Sequence, residues 1–185
     1  MQTFNTKSNI GVYYELTKPK IWYLLVFTAF GAAITASNVF NVPISFATWV
    51  LLLGGVAAGS AAANTLTNYH DRDIDAIMER TKNRPIPSRR INPPEKARNF
   101  GLILAAISLA CAFGICFTTS FWNGILAGTF MAFGLVDNIL VYSYGLKRKS
   151  RTNIILGGFS GGAPALIGYV AVTTIGLWDF GLVIA

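Results

Sequence analysis

Five long apolar runs, joined by connections of two opposite characters, constrain this chain more than anything else in it. The runs cover 20–37, 42–66, 100–117, 122–144 and 154–172. Each approaches or exceeds the roughly 20 residues a helix needs to cross the hydrocarbon core of a bilayer. In hydrocarbon every backbone N–H and C=O must be satisfied internally, so runs of this length read as helices. Only 12% of the residues are charged, about half the share of a soluble domain, and the mean hydropathy is +0.50. An ordinary soluble, secreted or disordered chain is excluded. The expected fold is an all-α polytopic transmembrane helix bundle, one domain over 1–185. A sixth run, 180–185, is too short to cross. A chain that stops inside an apolar run reads as the N-terminal part of a longer membrane protein, with a sixth helix beginning there.

The charges are sorted by connection. Lys7, Lys18 and Lys20 precede or open the first run. Arg72, Arg80, Lys82, Arg84, Arg89, Arg90, Lys96 and Arg98 lie between the second and third, and Lys147, Arg148, Lys149 and Arg151 between the fourth and fifth. Together these are all 15 basic residues of the chain. The connections 38–41, 118–120 and 173–179 hold none. By the positive-inside rule the N-terminus and both basic loops face the cytoplasm, and the protein sits in the cytoplasmic membrane. The net charge of +7 then calls for no nucleic-acid partner. Residues 1–14 are polar, and no small-residue cleavage site follows an apolar core. The first run therefore reads as an anchor rather than a signal peptide. Cys111 and Cys116, on different sides of one helix, read as small packing residues. The pairs Gly157/Gly161 and Gly158/Gly162 read as a helix-packing face, and Asp137 as an intramembrane acid.

The chemistry concentrates where the second run ends. If that helix continues past Leu66, Asn64, Asn68, Asp71 and Asp75 are spaced four, three and four apart, on one stripe, with Asp73 opposite. Two carboxylates one turn apart repel and need a cation. Mg2+ suits them, because it commonly takes one or two carboxylates together with phosphate oxygens and water. Arg72, Arg80, Lys82 and Arg84 lie in the same segment and suit a phosphate, while Pro85 and Pro87 end the helix. Spacing alone leaves two readings, a metal–diphosphate site or a solvated, salt-bridged helix end.

The run Asp71-Arg-Asp-Ile-Asp-Ala-Ile-Met-Glu-Arg-Thr-Lys-Asn-Arg-Pro85 resembles the first aspartate-rich motif of UbiA-type membrane prenyltransferases. It is most similar to that of the haem O synthase (protohaem IX farnesyltransferase) branch, in which Arg80, Thr81, Asn83, Arg84 and Pro85 continue the signature. The family asparagine, four before the first aspartate, is Thr67 here, with Asn68 beside it and Asn64 a turn earlier. Leu16-Thr-Lys-Pro19, Tyr142 with Leu146-Lys-Arg148, and the stretch Gly157–Thr173 are similar to the same family, so the resemblance covers essentially the whole chain.

The resemblance implies nine helices around a central cavity open to the membrane, and a second aspartate-rich motif that nothing in these residues matches. It implies transfer of a farnesyl group from farnesyl diphosphate to a vinyl group of haem b, with Mg2+ as cofactor. Asp71 and Asp75 would bind the metal, with Asn68 or Asn64 assisting. Arg72, Arg80 and Lys147 would act on the diphosphate or the haem propionates. Lys82, Arg84, Tyr142 and Arg148 would contact the diphosphate or the haem propionates. Half a metal–diphosphate site is expected to be inactive by itself. Two alternatives stand beside this reading: a UbiA-type enzyme acting on a quinone precursor or a lipid acceptor, and a transporter or structural membrane protein. The oligomeric state is not legible in the sequence.

Overall fold

A computed structural model describes residues 9–139 and 153–173. Tyr142, Lys147, Arg148 and the run 180–185 lie outside them. Every regular element among the described residues is helical. A short helix α1 (Asn9–Leu16) leads through Lys18, in the left-handed region at φ 53°, into α2 (Pro19–Phe40). Pro19 occupies the first turn, where no N–H donor is needed. Asn41, also left-handed at φ 52°, stops α2 and returns its N–H to the Ser37 carbonyl, the usual left-handed end of a helix. Ser45 caps α3 (Phe46–His70), its Oγ accepting from the Thr48 N–H at 3.1 Å. Then follow α4 (Arg72–Ile77), α5 (Glu95–Gly114) with a tight 3-10 turn (Ile115–Phe117), α6 (Phe121–Val136) and α7 (Asn153–Val170). Asp137, just past α6, is buried. Three of these elements, α2, α3 and α5 with its 3-10 extension, are long and apolar enough to cross a membrane.

The long helices close on one another: α3 runs along α5, α2 joins α3 to α7, and α6 bridges α7 and α5. The core between them holds Ala29 and Ala33 of α2, Leu52 and Val56 of α3, Met131 and Leu135 of α6, and Ile167 and Val170 of α7. Large apolar side chains such as Leu24, Phe27, Ile103 and Phe133 point outward and are exposed, as lipid-facing residues are. With lipid as apolar as the core, association rests on close backbone approach and interhelical hydrogen bonds. The α3–α5 seam uses both. A methyl at Gly59 would lie 2.6 Å from the Ser108 Oγ, and that hydroxyl donates to the Gly55 carbonyl at 2.9 Å. At the end away from the basic loop, the Asn123 amide donates to the Thr173 carbonyl at 2.7 Å and the Thr119 hydroxyl to the Ala171 carbonyl at 3.2 Å.

Among the described residues, the α7 glycine that meets a neighbouring helix is Gly168. Gly168 carries the close approach to α2, and any side chain there would run into the Ala29 carbonyl oxygen. A methyl at Gly158, Gly161 or Gly162 would meet nothing within 4 Å among the described residues. The face that packs is Ala163, Ile167 and Val170, spaced four and three. A repeat of small residues names a face but not which neighbour it meets, and among the described residues the close approach falls at Gly168. Gly168→Ala is expected to separate α7 from α2 and lower stability by about 1–3 kcal/mol. Gly158→Ala is expected to lose nothing. Chemical denaturation of the two variants in detergent micelles checks the contrast.

Candidate active site

The polar stripe survives a break in the helix that carries it. Asp71, between α3 and α4, has φ −83° and ψ 0°, in the sparsely occupied region next to the helical one. Its N–H nonetheless bonds the Thr67 carbonyl at 2.9 Å, and the Asp75 N–H bonds its own carbonyl at 2.8 Å. The four-residue ladder therefore continues across the bend and the stripe keeps helical register. Asn68, Asp71 and Asp75 are all at least nine-tenths buried, Asn64 is half-buried, and Asp73 is exposed on the far side.

A buried carboxylate is unfavourable unless it is paired and hydrogen-bonded, and the loop after α4 supplies the partner. Met78, extended at ψ 125°, stops α4. Turns then return the chain, with the Thr81 and Lys82 N–H groups on the Met78 carbonyl and the Arg84 N–H on the Thr81 carbonyl. The buried Thr81 hydroxyl donates to the Asp75 carbonyl at 3.1 Å. Arg84 Nη1 reaches Asp75 Oδ2 at 2.6 Å and leans toward Asn68 Oδ1 at 3.4 Å. The Asn68 amide in turn donates to the Leu16 carbonyl at the end of α1, at 2.9 Å. One polar relay thus runs from α1 through Asn68 and Arg84 to Asp75.

The loop is held in place by a second apolar cluster, in which Ile86 and Ile91 pack with Val12, Leu16 and Ala97. Arg90 grips Glu15 of α1 with both terminal nitrogens, at 3.0 and 2.9 Å, and donates to the Asn83 carbonyl at 2.6 Å. A fork on a carboxylate fixes orientation as well as charge.

Of the cations that the sequence groups with this site, Arg84 is the one the described residues bring to the stripe. Arg72 turns the other way: it donates to the Tyr69 carbonyl at 2.7 Å and lies over the Tyr69 ring at 4.4 Å. With Arg89 it lines a separate recess of about 440 Å³. Lys82 pairs with Glu79 at 2.7 Å in an exposed position, and Arg80 is exposed. Sequence reading missed Glu15, Arg90 and the Leu16 carbonyl. Their link to the site spans some 50 to 75 positions, and no local spacing signals it.

Below the stripe, between α2, α3, α6 and α7, lies a cavity of about 90 Å³ lined by Ser60, Asn64, Met131, Asn138, Ser160 and Pro164 among others. Asn64 donates to the Ser60 carbonyl at 2.9 Å, so of the two asparagines it is the one that faces the cavity. Asp75 Oδ1 has no hydrogen-bond partner among the described residues, since Arg84 takes Oδ2. No group of three or more His, Cys, Asp or Glu side chains stands together among the described residues. Two carboxylates with an amide nearby fit Mg2+ shared with a phosphate ligand, and do not make an all-protein cage.

Arg84→Leu strands the Asp75 carboxylate. The expected loss of stability is about 2 kcal/mol, below the 3–5 kcal/mol of a fully buried pair, because Arg84 remains 30% exposed. Adding Asp75→Leu is expected to recover part of that loss. A double-mutant cycle by denaturant unfolding reads the coupling, and strictly additive losses would contradict it.

Comparison with known proteins identifies the family. The model of the UbiA prenyltransferase family matches residues 24–185. The chain is 62% identical, over 99% of its length, to a protein of Cenarchaeum symbiosum named protoheme IX farnesyltransferase 2, of which it covers 59%. It is 45% identical over 90% of its length to the protoheme IX farnesyltransferase of Thermoplasma volcanium, covering 54% of that protein. It is 46% identical to the one of Synechococcus elongatus, over 87% of its length and 47% of that protein's. The chain thus spans about half the length of the curated relatives it matches. Two solved structures of a UbiA homolog from Archaeoglobus fulgidus share the fold. In one that protein is bound to DMAPP and Mg2+, with a TM-score of 0.62 at 19% identity. In the other it is bound to GPP and Mg2+, with a TM-score of 0.64 at 20% identity. This chain covers 58% of each, over 92% and 93% of its own length. The all-α membrane bundle, the membrane-crossing helices and the aspartate-rich helix end have one explanation: this chain belongs to the UbiA prenyltransferase family.

Proposed function

We propose that this chain carries the first aspartate-rich half of an enzyme that transfers a farnesyl group from farnesyl diphosphate to a vinyl group of haem b, giving haem O. The observation that carries the reading is the buried Asp71/Asp75 stripe, with Arg84 fixed on Asp75, above a cavity in the bundle. The names of the relatives, all protoheme IX farnesyltransferases, support the choice of substrates.

Asp71 and Asp75 would hold Mg2+, and a bound Mg2+ would supply positive charge to the departing diphosphate. Arg84 holds Asp75 by Oδ2, so Asp75 Oδ1 would remain available to a metal. Asn68 works one step back, tying Arg84 to α1, while Asn64 sits between the stripe and the cavity. The apolar bundle keeps bulk water from the cation. Arg72, Arg80 and Lys82 stand outside the stripe and contribute a positive field that draws anionic substrates to the membrane face. Tyr142, Lys147 and Arg148, outside the described residues, are assigned by the family resemblance to binding the diphosphate or the haem propionates. The one-sided distribution of the 15 basic residues supports a cytoplasmic N-terminus and cytoplasmic basic loops.

Asp75→Asn in the intact protein is expected to lower haem O formation by on the order of 10²-fold at normal expression. Pigment analysis of a host lacking its own haem O activity reads it, and unchanged haem O would refute the metal role. The same assay separates a haem acceptor from a quinone or lipid one. Chelation of divalent metal is expected to abolish transfer by the purified enzyme, and added Mg2+ to restore it. Activity that survives chelation would rule out the metal.

A further inference from the structure

α3 has two working faces. Gly59, Ser60, Ala63 and Asn64 line the central cavity, whereas Ala57, Ala58 and Ala61 form the floor of a different space. That space is an apolar groove of about 810 Å³ on the outer side of the bundle. Its walls are α1, Trp22 and the first part of α5. They are held open by their own contacts. Tyr13 stands edge-on to Phe100 at 5.0 Å between ring centres. The Trp22 indole donates to the Thr17 hydroxyl at 3.3 Å, and the Tyr14 and Tyr23 hydroxyls meet at 2.9 Å. The alanine floor leaves the depth that larger side chains would fill.

One end of the groove is charged. Lys96 and Asn99, in the first turns of α5, line it, and no carboxylate does among the described residues. Lys82, Arg84 and Arg90 each have an acidic partner, whereas Lys96 forms no ion pair among the described residues. The positive end of the α5 macrodipole adds to its field. From Lys96 the lining continues to Leu104, eight residues or about 12 Å down the helix. An occupant must therefore be anionic at one end and apolar along its length, and must reach the groove from the lipid side. The groove and the cavity below the carboxylate stripe share no lining residue, so the two are separate spaces.

We propose that this groove is a binding site for a membrane phospholipid with an anionic headgroup. Its phosphate sits against Lys96 and Asn99, and one chain lies over Ala57, Ala58 and Ala61.

Native mass spectrometry of the intact purified protein tests it, using phosphatidylglycerol and phosphatidylcholine with identical chains. Phosphatidylglycerol is expected to be retained about fivefold better. Lys96→Gln is expected to erase that preference, and Ala58→Leu to lower retention of both lipids by filling the floor. Millimolar inorganic phosphate is expected to leave retention unchanged. Equal retention of the two lipids, a preference that survives Lys96→Gln, or loss of lipid to free phosphate would each overturn the proposal. So would a lipid-free dimer, which would mean that a second copy covers the face, or an absence of retained lipid. Lys96 is on the surface, so its substitution keeps the test decisive even where Ala58→Leu fails to fold.

Discussion

A carboxylate at the edge of the hydrocarbon must find a positive charge, and the basic loop of this protein is folded to bring one to Asp75. Once the Arg84–Asp75 pair is required, much of the local structure follows from it. Arg84 lies nine residues beyond Asp75, too far for one helix face, so the helix must end and the chain must turn back. Met78 ends it, the turns through Thr81 return the chain, and Thr81 pins the turn to the Asp75 carbonyl. The prolines then keep the returning segment from resuming a helix. The charge pair sets the geometry, and the apolar contacts of Ile86 and Ile91 with α1 supply the burial that makes it persist.

This gives α1 a role that its eight residues would not suggest. It is too short to be a stable helix by itself, yet it contributes the carbonyl that holds Asn68, the carboxylate that holds Arg90, and two residues of the cluster under the loop. The three links are of different kinds: one neutral hydrogen bond, one forked ion pair and one apolar patch. Loosening any one leaves two that still set the position of Arg84. The precision of the carboxylate stripe therefore depends on a segment outside the membrane-crossing helices.

The sequence made the membrane bundle legible because hydrocarbon leaves so few options. Long apolar runs must be helices there, and the bilayer sets their length. The stripe was legible for a similar reason: helical periodicity carried Asn68, Asp71 and Asp75 to one side despite the bend at Asp71. What periodicity could not supply was the direction of long cationic side chains. Arg72 and Arg84 are equally basic and lie within the same motif, but one folds over Tyr69 and the other meets Asp75. Arg72 follows Asp71 directly, about 100 degrees around the helix from it. Arg84 has no fixed angular relation to the stripe and depends wholly on how the loop closes. The glycines of α7 show a related limit, since a small face is defined by the partner it meets, and among the described residues the packing contact is at Gly168.

Several basic residues crowd one face of this protein, and pairing divides the labour among them. A cation locked on a buried carboxylate, as Arg84 is, has lost the freedom to follow a ligand and acts by fixing geometry. A cation locked on an exposed or half-exposed partner, as Lys82 and Arg90 are, shapes or solvates the loop. Those without an acidic partner retain the most potential to act on an anion from outside, and their positions decide which anion. Lys96 looks along an apolar groove, whereas Arg72 and Arg89 share a more polar recess. A charge beside an apolar groove favours an amphiphile, because a fully hydrated anion would gain nothing from the groove. A pair of arginines in a polar recess favours a compact anion, because guanidinium groups can grip its oxygens in pairs. The one-sided positive charge is therefore several distinct instruments, separated by what each side chain touches.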